Sequence, residues 1–405
     1  MSRLNRPVCT LQVLRHSVFF LLLMLEQDPT KLPDTAVANE LRTRQATQAL
    51  RTILGQMVNE CSKPPDSRIP INTQPIQGAL ISPFSGGRSQ EDAEEFLTYL
   101  LNAVSDSFSG NFLAPLQSQA WRNPVALMCG STVQKCKCLS CNCSSNSVET
   151  QFFILQIPLP EGSASVFISD LILNECTREE QMTDDNMYDC TKCGVKSDGC
   201  RESLIRTAPE ILVLQLKRFK FAAEAGQTTK IMTPVNIDSM ITLYCTNEET
   251  ADYLLYSIVM HTGSGPSSGH YFSICRCSGC AANENFSSSS SPNADSVEWR
   301  ILDDTYVSEQ KTLSACIAEA MGRHTNPTPY IVFYAHTSST ACPVCNGSRI
   351  KELAQKVVPL PGPTPNPLPP APPSQPLPPF SEQAIADCIR SYMTTRTRVR
   401  ITEVV

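Results

Sequence analysis

Ser268-Gly269-His270-Tyr271-Phe272-Ser273-Ile274-Cys275 and, about thirty residues on, Trp299-Arg300-Ile301-Leu302-Asp303-Asp304 are the segments from which the rest of the chain is best read. The first, an aromatic and aliphatic run after a glycine, predicts a strand over His270 to Cys275 with the histidine at its start. The second brings two carboxylates to a later strand. A thiol nucleophile needs such a set: a base, and a group that fixes the base's tautomer. Taken one at a time, a structural histidine and a solvated Asp pair are the plainer account of the same residues.

Runs of the same kind, bounded by Gly, Pro, Ser and Asn, predict further strands at Gln151 to Ile157, Ile211 to Phe219, Tyr253 to His261 and Tyr330 to Tyr334. Before Val125 the pattern is helical: Leu11, Leu14, Val18 and the Leu-rich run after it, then Val37 to Cys61, then Gln90 to Phe108. In the last, Ala93, Phe96, Leu97, Leu100, Leu101 and Val104 recur at three- and four-residue steps, one face of an amphipathic helix. Ser89, just ahead of Glu91 and Asp92, reads as its N-terminal cap. A helical lobe followed by a mostly antiparallel sheet is an α+β arrangement.

The 405 residues carry a formal net charge of −6 with the signs mixed along the chain, so the clustered Lys and Arg that phosphate binding requires are absent and no nucleic-acid partner is expected. With 41% hydrophobic and 18% charged residues the chain reads as globular. Val18 to Leu25 is wholly apolar but far shorter than the about 20 residues that span a bilayer. No small-residue cleavage site follows it, so it reads as a buried helix, and no membrane partner is expected.

Nineteen cysteines pose the choice between disulfides and metal-held thiolates. Cys138-Leu139-Ser140-Cys141 and Cys190-Thr191-Lys192-Cys193 lie about fifty residues apart, and each tight turn offers two soft ligands to a tetrahedral structural zinc. Reduced, unliganded cysteines are the alternative. Cys277, Cys280, Cys342 and Cys345 form a second such set, but it straddles Ala281 to Val297, a Ser- and Asn-rich segment expected to be a flexible insertion, and dispersed thiols are the preferred reading. Metal-held thiolates point to a reducing compartment, the cytoplasm or the nucleus. No organic cofactor is expected. Pro359 to Pro379 is dominated by proline and reads as an extended spacer.

In chain order, these segments resemble the ubiquitin-specific protease family: Leu11-Gln12-Val13-Leu14; Gln90-Glu91-Asp92-Ala93-Glu94-Glu95-Phe96-Leu97; the Cys138/Cys141 and Cys190/Cys193 pairs; Ala208-Pro209 through Leu216-Lys217-Arg218-Phe219; Tyr256 through His261 to Gly269-His270-Tyr271; Trp299 to Asp304; and Tyr330 to Tyr334. The resemblance implies a papain-like helical thumb (10–125), zinc-tipped fingers with part of the palm (126–250), and a palm with the histidine and aspartate (251–337), the remainder (338–405) being tail. It also implies His270 as general base, Asp303 as its orienting partner with Asp304 beside it, and Gln90, Asp92 and Glu95 along the channel for ubiquitin's C-terminal tail, where carboxylates can pair with arginines. The implied reaction is acyl transfer to a cysteine followed by hydrolysis of the isopeptide bond, with ubiquitin and ubiquitinated proteins as partners.

The nucleophile departs from that pattern. The family's cysteine stands seven residues before the glutamine of the Leu-Gln pair, and counting back from Gln12 gives Asn5. Cys9, the nearest thiol, is four residues later, about 6 Å along a helix, whereas catalysis feels misplacements of about 1 Å. Cys9 therefore reads as a core-facing residue in preference to a nucleophile, and an altered N-terminal start is the expectation. A catalytically inactive ubiquitin-binding protein is the alternative function. The tail offers Pro-x-x-Pro frames to SH3-type grooves, though an inert spacer is the preferred reading, and Thr402 to Val405 ends on valine as some PDZ ligands do.

Overall fold

The structure is a computed structural model and describes residues 10–14, 18–26, 38–61, 63, 67–80, 92–108, 123–145, 148–162, 164–177, 179–222, 226–246, 249–265, 268–276, 299–337 and 351–357. All of these belong to one unit, Met1–Leu360, and the second unit, Pro361–Val405, lies outside the described residues.

Every residue from Ile211 to Leu216 is buried, as expected for a strand covered on both faces. It lies in an eight-stranded sheet whose order is Tyr306–Val307, Trp299–Asp303, Ser268–Arg276, Thr250–Gly265, Thr328–His336, Ile211–Lys217, Leu155–Pro158, with Met240–Tyr244 also paired to Thr250–Gly265. Only the pairing of Leu155–Pro158 with Ile211–Lys217 is parallel in this sheet. The two-residue period of a strand separates two cores. Ile211, Val213, Ile331 and Phe333 pack with Leu11, Leu50, Ile53, Leu97 and Leu100 of the helical thumb. Leu212, Leu214, Val332 and Tyr334 pack with Ile168, Ile172, Leu313 and Cys316 of two further helices, Ile168–Thr177 and Leu313–Arg323.

A separate four-stranded sheet, in the order Val148–Phe152, Gly130–Cys138, Gly199–Thr207, Glu179–Met182, forms the fingers, and the hairpin of Tyr188–Cys190 with Val195–Ser197 stands near its end. The predicted strand Gln151 to Ile157 is thus two strands in two sheets. The predicted Ile211 to Phe219 breaks at Arg218, whose fully buried side chain donates to the carbonyls of Pro329, Ile231 and Thr233 at 2.6, 2.9 and 3.1 Å. Burial among neutral carbonyls lowers its pKa to about 10.

Val18–Glu26 is a helix with Phe20, Leu21, Met24 and Leu25 buried, and among the described residues no helix is long and apolar enough to cross a membrane. The thumb helix Ala93–Ser107 is capped by Asp92, whose Oδ1 accepts from the Glu94 backbone N–H at 2.7 Å. A carboxylate satisfies an orphan N–H and complements the helix dipole as well; Ser89, the predicted cap, lies outside the described residues. One boundary moves. Ala354 and Val357 are buried in the thumb core, and Asn59 Nδ2 donates to the Ala354 carbonyl at 3.1 Å. Packed residues therefore reach Val357, beyond the expected limit at 337: Ala354 lies in the last turn of a short helix and Val357, just past it, closes on Gly55 of Ala38–Cys61, where a Cβ would meet it at 3.2 Å. The insertion 281–297 and the proline-rich 359–379 lie outside the described residues.

Candidate active site

The ladder between Ser268–Arg276 and Trp299–Asp303 pairs Ser273 with Leu302. One step further sets Phe272 opposite Asp303, and His270, two residues on, is its diagonal neighbour on the same face. His270 Nε2 lies 2.5 Å from Asp303 Oδ1. With Nε2–H donating to the carboxylate, Nδ1 is the nitrogen that carries the lone pair. Asp304 occupies the exposed two-residue turn between Trp299–Asp303 and Tyr306–Val307 at φ 54°, so the two carboxylates have separate environments.

The hydrogen bond to Asp303 raises the pKa of His270 above its ordinary value, against the opposing effect of burial, and the charges of Asp303 and Asp304 add to the rise. Burial by itself would raise the Asp303 carboxyl, but the hydrogen bond and charge of His270, together with those of His324, outweigh it and hold the group below the usual carboxylate range.

His324 was not among the predicted residues. It caps the C-terminus of Leu313–Arg323. Its Nε2 lies 3.0 Å from Asp303 Oδ2, and its ring stacks on Phe272 with centroids 4.4 Å apart. The signal was present: Thr312 accepts from the Ala315 N–H as an N-cap, and Leu313, Cys316 and Ala320 follow at helical spacing. Recognising that helix would have placed His324 at its end.

Gly269, immediately before His270, has φ +125°, and a Cβ there would meet the Thr262 carbonyl oxygen at 2.2 Å and His261 Nε2 at 2.6 Å. Gly269→Ala is expected to lower stability by at least about 1–3 kcal/mol from the backbone alone, and to push His270 out of reach of Asp303. Thermal unfolding, with the His270 imidazole followed by NMR, checks both effects.

Residues 10–14 are helical and buried except for half-buried Gln12, and Ser273 Oγ donates to Gln12 Oε1 at 3.0 Å, tying the first helix to the strand that carries His270. Cys9 and Gln90 lie outside the described residues. The Tyr330 hydroxyl lies 2.7 Å from both oxygens of Asp92. Asp92 therefore caps a thumb helix and joins it to the palm, a job the sequence did not suggest. Glu95 is exposed on the first turn of that helix.

At the tip of the fingers, Cys138 Sγ lies 3.9 Å from Cys193 Sγ, and Cys141 Sγ lies 3.7 Å from Cys190 Sγ. Four thiolates about 2.3 Å from a tetrahedral zinc would stand about 3.8 Å apart, and these two separations match that spacing. The four sulfurs form a group able to hold a metal ion. The Cys193 N–H donates to Cys190 Sγ at 3.4 Å, the Ser197 hydroxyl 3.0 Å away draws the Cys138 thiol down to about 6, and hydrogen bonding with Cys141 and Cys190 pushes Cys193 up to about 12. Cys277, Cys280, Cys342 and Cys345 lie outside the described residues.

The sequence profile described as ubiquitin carboxyl-terminal hydrolase matches residues 8–334. Among curated proteins, the chain is similar to the probable ubiquitin carboxyl-terminal hydrolase 9 of Schizosaccharomyces pombe, 30% identical over 194 residues, which is 46% of this chain and 32% of that protein. It is 27% identical over 213 residues to ubiquitin carboxyl-terminal hydrolase 4 of Arabidopsis thaliana, covering 46% of this chain and 57% of that one. It is 28% identical over 261 residues to ubiquitin carboxyl-terminal hydrolase 9 of Saccharomyces cerevisiae, covering 62% and 31%. The chain thus spans between about a third and somewhat over half of the length of these relatives. Among solved structures, the SAGA Ubp8/Sgf11/Sus1/Sgf73 deubiquitinating module bound to ubiquitin aldehyde gives a TM-score of 0.61 at 20% identity, over 83% of this chain and 68% of that one. The same module bound to monoubiquitin gives 0.61 at 20%, over 83% and 67%. That likeness shows the fold: thumb, palm and fingers are shared. With the profile covering more than three quarters of its length, the chain belongs to the ubiquitin carboxyl-terminal hydrolase family.

Proposed function

We propose that the protein is a thiol-dependent deubiquitinase that holds ubiquitin across fingers and palm and hydrolyses the isopeptide bond at its C-terminus. The observation that carries this reading is the His270 Nε2 to Asp303 Oδ1 contact of 2.5 Å on a strand tied to the first helix through Gln12 and Ser273. In this reading a thiol ahead of that helix gives its proton to His270 Nδ1 and attacks the carbonyl carbon at the ubiquitin terminus. The lysine amine leaves with the proton from His270, and water then releases ubiquitin from the thioester. Asp303 fixes the tautomer, and Glu95, exposed on the first turn of its helix, meets the incoming tail. The Cys138, Cys141, Cys190 and Cys193 site holds zinc, which supplies only structure to the fingers.

Cys9 is the thiol nearest the helix in sequence, three residues before Gln12. The family register at Asn5 favours a second reading, a protein that binds ubiquitin without turning it over. A ubiquitin C-terminal electrophile separates them. An adduct lost in Cys9→Ala and slowed in His270→Ala identifies Cys9 as the nucleophile. Reversible ubiquitin binding with no adduct supports the second reading, and no ubiquitin binding of either kind overturns both.

A further inference from the structure

Asp303 is the centre of a cluster larger than the proposed chemistry uses. His270 Nε2 approaches its Oδ1 at 2.5 Å and His324 Nε2 its Oδ2 at 3.0 Å. The three donor atoms lie within 4.8 Å of one another, and the side chains of His270, Asp303 and His324 are only 25%, 8% and 15% exposed. The three rings lie nearly parallel and pack as a triangle: His270 and His324 centroids stand 5.5 Å apart at 23°, and Phe272 lies 4.4 Å from His324 and 6.4 Å from His270.

Two imidazoles and one carboxylate converging from three separate elements are a donor set suited to zinc and to other divalent transition ions, with a fourth position open to water. Ligands about 2.0–2.1 Å from a tetrahedral ion stand about 3.3 Å apart. The His270–Asp303 contact of 2.5 Å must therefore open and the widest separation, within 4.8 Å, must close. One feature opposes the ion: Arg323 Nη2 lies 3.7 Å from Asp303 Oδ2. Its guanidinium also sits over the Tyr306 ring, 3.6 Å from the centroid, at the rim of the cluster.

We propose that His270, Asp303 and His324 form a second, reversible site for a divalent transition ion, distinct from the four-cysteine site, and that occupancy switches off the general base. The switch follows from imidazole chemistry. A neutral ring has one lone pair. Once Nε2 of His270 gives it to an ion, Nδ1 carries the proton and can only donate, so no nitrogen remains to take the proton of a thiol. This consequence rests on the deubiquitinase reading; the binding of the ion does not.

The test uses the full chain, first loaded with one equivalent of zinc to fill the fingers. Calorimetric titration with further Zn²⁺ should show one additional equivalent. Co²⁺ in its place should give ligand-field absorption without a thiolate-to-metal charge-transfer band. His324→Gln keeps an amide able to reach Asp303 but loses the imidazole, and should weaken this second equivalent by at least about 10-fold, since even outer-shell changes cost 10- to 100-fold. Arg323→Gln, which removes the competing charge, should tighten it. Absence of a second equivalent, a charge-transfer band assigning it to cysteines, or an affinity unmoved by both substitutions overturns the site. An ion bound as expected to a chain with no ubiquitin turnover leaves the site standing and defeats the deubiquitinase reading alone.

Discussion

His270→Ala lowers the rate of ubiquitin release from a C-terminal ubiquitin amide by about 10²- to 10⁴-fold, the contribution of a positioned general base. In the deubiquitinase reading the loss falls on kcat, because there His270 serves the scissile bond and not the body of ubiquitin. Asp303→Asn is expected to be nearly as costly. Asn is isosteric, but its amide can present an N–H to His270 where the carboxylate presented only acceptors, turning the imidazole to the wrong tautomer. Asp304→Asn, in an exposed turn at φ 54° that Asn adopts readily, should change the rate little. Steady-state kinetics of the three variants side by side checks the ranking. Equal losses at Asp303 and Asp304 would sink the assignment of the orienting role.

The pH dependence has a definite sign. His270 has its pKa raised in the folded protein, so the stability its charged form contributes is fully present below the unfolded value of about 6.5 and is lost as pH rises through the folded value. Asp303 has its pKa lowered, so its contribution is present above about 3.9 and is lost as pH falls through the folded value. The pair therefore stabilises the fold most between about pH 4 and 6.5. The acid limb of kcat/KM, which reports the free enzyme's base, should lie above 6.5 and move to lower pH in Asp303→Asn.

Much of this was legible because the decisive segments are short and locally patterned. His270 opens an apolar run after a glycine, and Asp303 ends another, so strand pairing alone brings them together. The cysteine pairs carry their geometry in their spacing. What escaped the sequence depended on tertiary partners. Arg218 interrupts a strand because carbonyls from other segments enclose it, and nothing in Leu216-Lys217-Arg218-Phe219 announces them. Asp92 looks like any acidic residue near a helix start until Tyr330, 238 residues away, is folded against it. The packing of Ala354 and Val357 rests on a short helix and the residues just past it, against a helix some 300 residues earlier, below any periodicity so few residues can display. His324 was hidden differently: its helix was readable, but a histidine following a helix has no chemistry until Asp303 is beside it.

With zinc in the four-cysteine site as proposed, its removal should dissolve the tip of the fingers and leave the palm folded. Val133, Cys138, Cys190 and Cys200 are buried, yet they belong to neither of the two cores that hold thumb and palm together. The adjoining strand Val148–Phe152 is exposed along most of its length. Little apolar burial is available there to offset chain entropy, so the four-cysteine site must hold the tip. Structural zinc supplies about 10–16 kcal/mol in small finger peptides at neutral pH. Without an ion four thiolates side by side repel one another, and neutral thiols attract one another only weakly. Treatment with a strong chelator, or Cys190→Ala, should therefore abolish amide exchange protection over residues 136–143 and 188–199 while strands such as Ile211–Lys217 and Thr328–His336 stay protected. Zinc returned in equimolar amount should restore protection in the parent and not in the variant. Loss of protection throughout the palm would mean that the fingers and the sheet fold as one unit, and unchanged protection would mean that the tip stands without metal.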